Sequence, residues 1–289
     1  MKEQNISTAI LSISSPGTYL TLGDDQKAAE MTRQFNKELS DICAKYPDRF
    51  KFFASLPLPS APKSLAEIDY DLDRLGAVGF VLYSNANGVY LGDPSLDKVF
   101  AKLDERKAIV FMHPTSCNLL LPWYSGSGTE LRTLDPLPYP RPMMEFMFDE
   151  TRAVANLLLS GTVSKYKDVK FIMSHCGCAL PPIIDRICAF DSIVHNKTSE
   201  LDLKELLRTR FFFDLAGVPF PNQIHGLLRL LGIGAGKRLL YGSDYPFTPE
   251  RAVVHLMGQM EEGFEGIFEQ EERNDVYIGN ARTFFGLKG

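Results

Sequence analysis

The sequence predicts an α/β fold, a TIM-type (β/α)8 barrel lacking its first strand-helix unit. Three observations predict it. Short runs rich in Ile, Val and Phe alternate with longer amphipathic stretches along most of the chain. About seven such units can be counted, one short of the eight that close this kind of barrel. Several apolar runs end abruptly on histidine or aspartate, and the carboxyl ends of barrel strands are where such folds carry their chemistry.

The elements follow in order. "STAILSIS" reads as a strand and "KAAEMTRQFNKELSDICAKY" as the helix after it. Then come "FKFFASLPL", "SLAEIDYDLDRLG", "AVGFVLYS", "PSLDKVFAKLDER" and "AIVFMHP", alternately strand and helix. The beat resumes with "ETRAVANLLLSGTVSKY", "VKFIMSHCG", "LPPIIDRICAFDSIV", "FFFDLAG", "PNQIHGLLRLLGI" and "RLLYGSDYP". "GIGAGKR" is not a phosphate loop: Arg238 stands where Ser or Thr is required, and the stretch precedes a strand. It reads as a helix ending in glycines.

Two stretches fall outside the beat. Residues 117–143 are rich in Pro and Gly, too long for an ordinary connection, and follow a strand directly, where barrel enzymes carry lids and substrate loops. The final helices occupy residues 249–289. No linker or composition shift divides the chain, so a single domain spanning residues 1–289 is expected.

With 289 residues and 45% hydrophobic content, the chain can bury a substantial core. A net charge of -5 with scattered basic residues argues against a nucleic-acid partner. No apolar segment approaches the roughly 20 residues of a membrane span, and the opening is too polar for a secretory signal. A soluble, cytoplasmic protein without a membrane partner is expected. The five cysteines lack a paired CxxC pattern, which favours buried thiols over disulfides or a zinc knot.

Three strands end on groups able to bind a metal or move a proton: His113 in "AIVFMHPT", His175 in "KFIMSHCG" and Asp244 in "LLYGSDYP". Taken singly, each histidine reads as a packing residue and Asp244 as a helix cap. At equivalent points of separate units they instead read as one site, because the strands of a parallel barrel share one carboxyl face. Imidazole with carboxylate suits a divalent metal, zinc first and manganese second. His195, His225 and His255 lie in or beside helices and read as surface or packing residues. In the long loop, Trp123 and Tyr124 are placed to wall an aromatic ring.

In that order and spacing, "HPT", "MSHCGCALP", "FDLAG" and "YGSDYPF" resemble the amidohydrolase-related decarboxylases, the group of aminocarboxymuconate-semialdehyde and hydroxybenzoate decarboxylases. "AILSISSPG" and "FMFDETRAVANLLLSG" are most similar to its fungal 6-methylsalicylate decarboxylase branch. The resemblance implies that His113 and Asp244 bind a metal, that His175 is catalytic and that Asp244 is also a candidate proton donor. It implies substrate-facing roles for Arg152 and Phe148, against which stand a helix-face arginine and a core phenylalanine. The family's first-strand His-x-His pair has no counterpart here, so Met1 reads as an internal methionine just before the second strand. An open strand edge there favours a homo-oligomer.

The activity so implied is metal-dependent, non-oxidative decarboxylation of an ortho-hydroxylated aromatic acid such as 6-methylsalicylate. The partner is then a small aromatic carboxylic acid. Two other readings compete. Metal-bound water in a related barrel hydrolyses lactones or amides with the same residues. A barrel short of metal ligands serves only as a binding or structural remnant.

Overall fold

A computed structural model of the chain describes residues 1, 4–122, 129–134, 138–195 and 200–287. The chain divides into two compact units, Met1–Lys170 and Phe171–Gly289.

The first unit opens with β1 (Ala9–Leu11), α1 (Asp25–Lys45), β2 (Phe50–Ser55), α2 (Ala61–Tyr70) and β3 (Gly79–Tyr83). "FKFFAS" and "GFVLY" lack the polar alternation of a half-solvated strand, which is the pattern of strands covered on both faces. Accordingly Phe52, Phe53, Ala54, Phe80, Val81 and Leu82 are all buried. α1 starts where the Asp24 carboxylate accepts the Lys27 N–H at 3.0 Å, satisfying one of the helix's free donors. From inside α1 the buried Asn36 donates to Ser55 O and accepts the Ser55 N–H, at 3.0 and 2.8 Å, fixing the helix to the end of β2.

A ribbon of β4 (Asn85–Ala86) and β5 (Val89–Tyr90) follows, then α3 (Asp97–Glu105) and β6 (Ile109–His113). The pairs β1–β2, β2–β3 and β3–β6 are all parallel, with Tyr83 opposite His113. Gly79 allows the last of these, since a Cβ there would lie 2.5 Å from the Ile109 carbonyl oxygen. The stretch expected as a lid or substrate loop, residues 117–143, contains β7 (Asn118–Pro122) and β8 (Thr129–Thr133), paired antiparallel. Backbone groups of so long an insert need partners, and a hairpin supplies them internally. α4 (Glu145–Leu159) and α5 (Thr162–Lys165) complete the unit.

β9 (Lys170–Met173) leads into the second unit, followed by α6 (Leu180–His195), α7 (Glu200–Arg210), β10 (Phe211–Asp214), α8 (Gln223–Leu231) and β11 (Leu239–Leu240). β10 pairs in parallel with both β9 and β11. Phe171 and Phe211 stack across the first pair with centroids 5.0 Å apart. α8 ends in Gly232 and Gly234, at φ 76° and 78°, the glycine-terminated helix read from "GIGAGKR". α9 (Glu250–Glu265), α10 (Gln270–Asn274) and α11 (Asn280–Phe285) follow. β11 is shorter than "RLLYG" suggests, because the Tyr241 N–H turns to Val276 O at 3.2 Å. Asn280 donates to Leu239 O at 2.9 Å, so the C-terminal segment satisfies backbone that an edge strand leaves open.

Seven parallel strands with intervening helices thus realise the α/β barrel-type pattern that the sequence predicts. Among the described residues no helix is long and apolar enough to cross a membrane.

Candidate active site

In the second unit three consecutive strands deliver titratable groups from their carboxyl ends. β9 runs out through Ser174 into His175, β10 ends on Asp214 and β11 passes through Gly242 to Asp244. Gly242 lets β10 and β11 approach closely here: a Cβ would press on Asp214 Cγ at 3.1 Å and on the Ala216 side chain at 3.2 Å.

The backbone around His175 is strained. His175, Cys176, Gly177 and Cys178 all have positive φ, at 50°, 54°, 75° and 52°. For the three residues other than glycine this costs about 1–2 kcal/mol each, because Cβ crowds the following carbonyl. Asp214 Oδ1 accepts the His175 N–H at 3.1 Å and the Ala216 N–H at 2.9 Å. Gln223 Nε2 donates to the carbonyls of His175 and Cys178 at 2.8 and 3.1 Å. Asp244 is itself left-handed, at φ 53°, and its carbonyl accepts the Thr248 N–H at 2.8 Å.

Burial pushes the Asp244 carboxyl above the ordinary range; His175 draws it down and the neighbouring Asp214 pushes it up again. Burial likewise raises Asp214, against the pull of His175 and of the two backbone donors. The structure therefore brings His175, Asp214 and Asp244 into one electrostatic neighbourhood. A partly desolvated acid beside an imidazole is a pair able to hold and pass a proton, while Asp214 accepts the His175 backbone N–H beside it. Sequence reasoning named His175 and Asp244 but missed Asp214. Its signal was the same one, a carboxylate closing the apolar run "FFFD".

His113 ends β6 in the first unit. Its Nδ1 lies 2.7 Å from Pro114 O, so that nitrogen carries the proton. The rings of Tyr83, Phe111 and Phe146 approach it edge-on, with centroids 6.2, 6.3 and 6.4 Å away. Arg152 binds the wholly buried Asp149 at 2.8 Å and also reaches Cys117 Sγ and Tyr90 OH, both at 3.3 Å. Phe148 on α4 is 47% exposed. Trp123 lies outside the described residues.

Carboxylates and imidazole are the donors that zinc or manganese takes, and a catalytic zinc normally has three protein ligands. Among the described residues no group of three or more His, Cys, Asp or Glu side chains is gathered to hold a metal ion. The described side chains therefore do not make a complete metal centre by themselves.

Parallel strands joined by helices, with acid-base groups at their carboxyl ends, define the α/β barrel class of enzyme. The chain belongs to the amidohydrolase family, whose model matches residues 12–287. It is 32% identical to the decarboxylase macB of Penicillium terrestre, over 99% of this chain and 82% of that protein. It is 30% identical to the 6-methylsalicylic acid decarboxylase of Penicillium expansum, over 100% of this chain and 85% of that one. Among solved structures, an amidohydrolase II shares 29% identity and superposes with a TM-score of 0.85, covering 99% of this chain and 86% of its own. A dihydroxybenzoic acid decarboxylase from Polaromonas, holding manganese and 2-nitroresorcinol, has the same fold at 22% identity and a TM-score of 0.76, covering 99% and 84%.

Proposed function

We propose that the chain is a carboxy-lyase that removes carbon dioxide from an ortho-hydroxylated aromatic acid of the 6-methylsalicylate kind. The observation that carries this reading is Asp244, a partly buried acid whose carboxyl is raised, in the neighbourhood of His175 beyond a neighbouring strand end. The decarboxylase relatives support it. In this reading Asp244, whose carboxyl is raised by partial burial, acts in its protonated form and gives its proton to the ring carbon bearing the carboxylate. The bond from that carbon to the carboxylate then breaks, its electron pair restores the ring, and carbon dioxide leaves. His175 orients the substrate carboxylate and returns a proton to Asp244 from water. Because Asp244 must carry its proton, the rate falls as pH rises through its elevated pKa.

The reading includes a divalent ion, zinc or manganese. It is supported by the manganese in the Polaromonas enzyme. His113 and Asp244 remain its ligands on the resemblance, and Phe148, Arg152 and Trp123 its substrate contacts. Metal content of the purified chain, beside His113→Ala, tests the first assignment independently of rate. The reaction itself is tested by offering the full chain a panel of hydroxybenzoates and aromatic lactones. Carbon dioxide release from the acids is expected, whereas hydrolysis of the lactones alone would replace this reading.

A further inference from the structure

The turn that presents His175 has one internal backbone bond, Cys178 N–H to His175 O at 2.9 Å, and beyond it leans on its surroundings. Four successive residues with positive φ leave a chain that relaxes toward extended or right-handed backbone unless outside groups fix its amides. Two side chains do so from opposite ends. Asp214, at the end of β10, takes the His175 N–H at 3.1 Å. Gln223, in the first turn of α8, donates one nitrogen to the carbonyls of both His175 and Cys178, at 2.8 and 3.1 Å. The donor and the acceptor of the His175 backbone are thus each bound to a side chain from another element.

We infer that Asp214 and Gln223 are positioning residues that hold the imidazole of His175 in its working place by clamping the backbone on both sides of it. The inference rests on the proposed reaction for its rate consequence, but its geometric content is independent of that reaction. Asp214 acts here as a hydrogen-bond acceptor, so an amide oxygen at the same place serves in its stead. Gln223 acts as a donor, so a carboxylate of the same shape does not.

The test uses the full chain and four variants, Asp214→Ala, Asp214→Asn, Gln223→Ala and Gln223→Glu. Two readouts are taken: steady-state decarboxylation, and the rate at which diethyl pyrocarbonate modifies His175, followed by peptide mass spectrometry. Asp214→Ala is expected to lower kcat roughly 100-fold, the effect of a displacement of about 1 Å in a reacting group, with KM changed far less. Asp214→Asn recovers most of that loss. Gln223→Ala and Gln223→Glu fall together, roughly tenfold each on the same scale. In the impaired variants His175 is modified several times faster than in the parent, while Asp214→Asn keeps the parent rate. Wild-type kcat and modification rate in Gln223→Glu overturn the inference, as does an Asp214→Asn variant impaired as deeply as Asp214→Ala. If the parent releases no carbon dioxide from any acid, the proposed reaction fails, and the modification rates alone still decide the clamp.

Discussion

Asp149, on α4 of the first unit, and the pair Asp214 and Asp244, at or beyond strand ends of the second, are acids wholly or partly withdrawn from water, yet they are served very differently. Asp149 is wholly buried and accepts hydrogen bonds from Ser84 and Tyr90, from Asn85 at 2.9 Å and from the guanidinium of Arg152 at 2.8 Å. Three polar donors and a cation satisfy the oxygens of a carboxyl group taken out of water. Asp214 receives two backbone N–H groups and faces a second acid, and burial raises both. The difference shows what burial of an acid achieves. With a full donor set it fastens structure together, and with a short one it keeps a proton available for chemistry.

The largest effect belongs to the acid that keeps its proton. Asp244→Asn is expected to reduce the rate of carbon dioxide release on the order of 1,000-fold, as the loss of a general acid does. Its urea midpoint should stay close to the parent's, because in the proposed reading the amide replaces a carboxyl that is already neutral and of nearly the same shape. Undiminished release, or a marked fall in midpoint, would erase the contrast between the two regions.

Next in size is the acid that fastens structure. Asp149→Ala leaves Ser84, Asn85, Tyr90 and Arg152 without their common acceptor. Removing one partner of a buried ion pair costs about 3–5 kcal/mol, and the lower end applies because the Arg152 side chain is 45% exposed. Urea unfolding measures it. A loss within 1 kcal/mol, on the scale of an exposed ion pair, would place Asp149 among surface acids and not among fastening ones.

Much of this arrangement is legible in the sequence, and the exceptions have physical causes. β2, β3, β6, β9 and β10 stand out because buried parallel strands are continuous apolar runs. His113, His175 and Asp244 stand out because a polar residue ending such a run is conspicuous. Asp214 ends a run in the same way and was legible on that rule. The β7–β8 hairpin was not, since its Pro- and Gly-rich surroundings carry the signature of a loop. Nor was the end of β11, whose Tyr241 N–H is claimed by Val276 far along the chain. The four left-handed residues at His175 are equally silent: "HCGC" contains one glycine, and the groups that force the others come from Asp214 and Gln223. The Asp149 network joins a helix to two distant strand ends, so no local pattern records it.

The smallest effect asks whether the rule concerns donors or belongs to one region only. Asp71 lies in the first unit but is served like the acids of the second. Asn36 donates to its Oδ2 at 2.9 Å, and its buried Oδ1 has no hydrogen-bond partner among the described residues. Burial, with Glu67 adding, pushes its carboxyl up to about 8, against the pull of Arg33 and Asn36. In the unfolded chain an aspartate ionises near 3.9, so between about pH 4 and pH 8 the folded chain keeps a proton that the unfolded chain has released. Stability contributed by protonated Asp71 is therefore complete below pH 4, falls as pH rises, and is lost above about 8. The fall is at most about 1.4 kcal/mol per pH unit, one proton's worth. Asp71→Asn keeps an oxygen for Asn36 and removes the titration, so between pH 5 and 7 its unfolding free energy should decline less steeply than the parent's by about that slope. Parallel profiles would mean that Asp71 is ionised despite its short donor set, and that the number of donors does not decide what a buried acid does here.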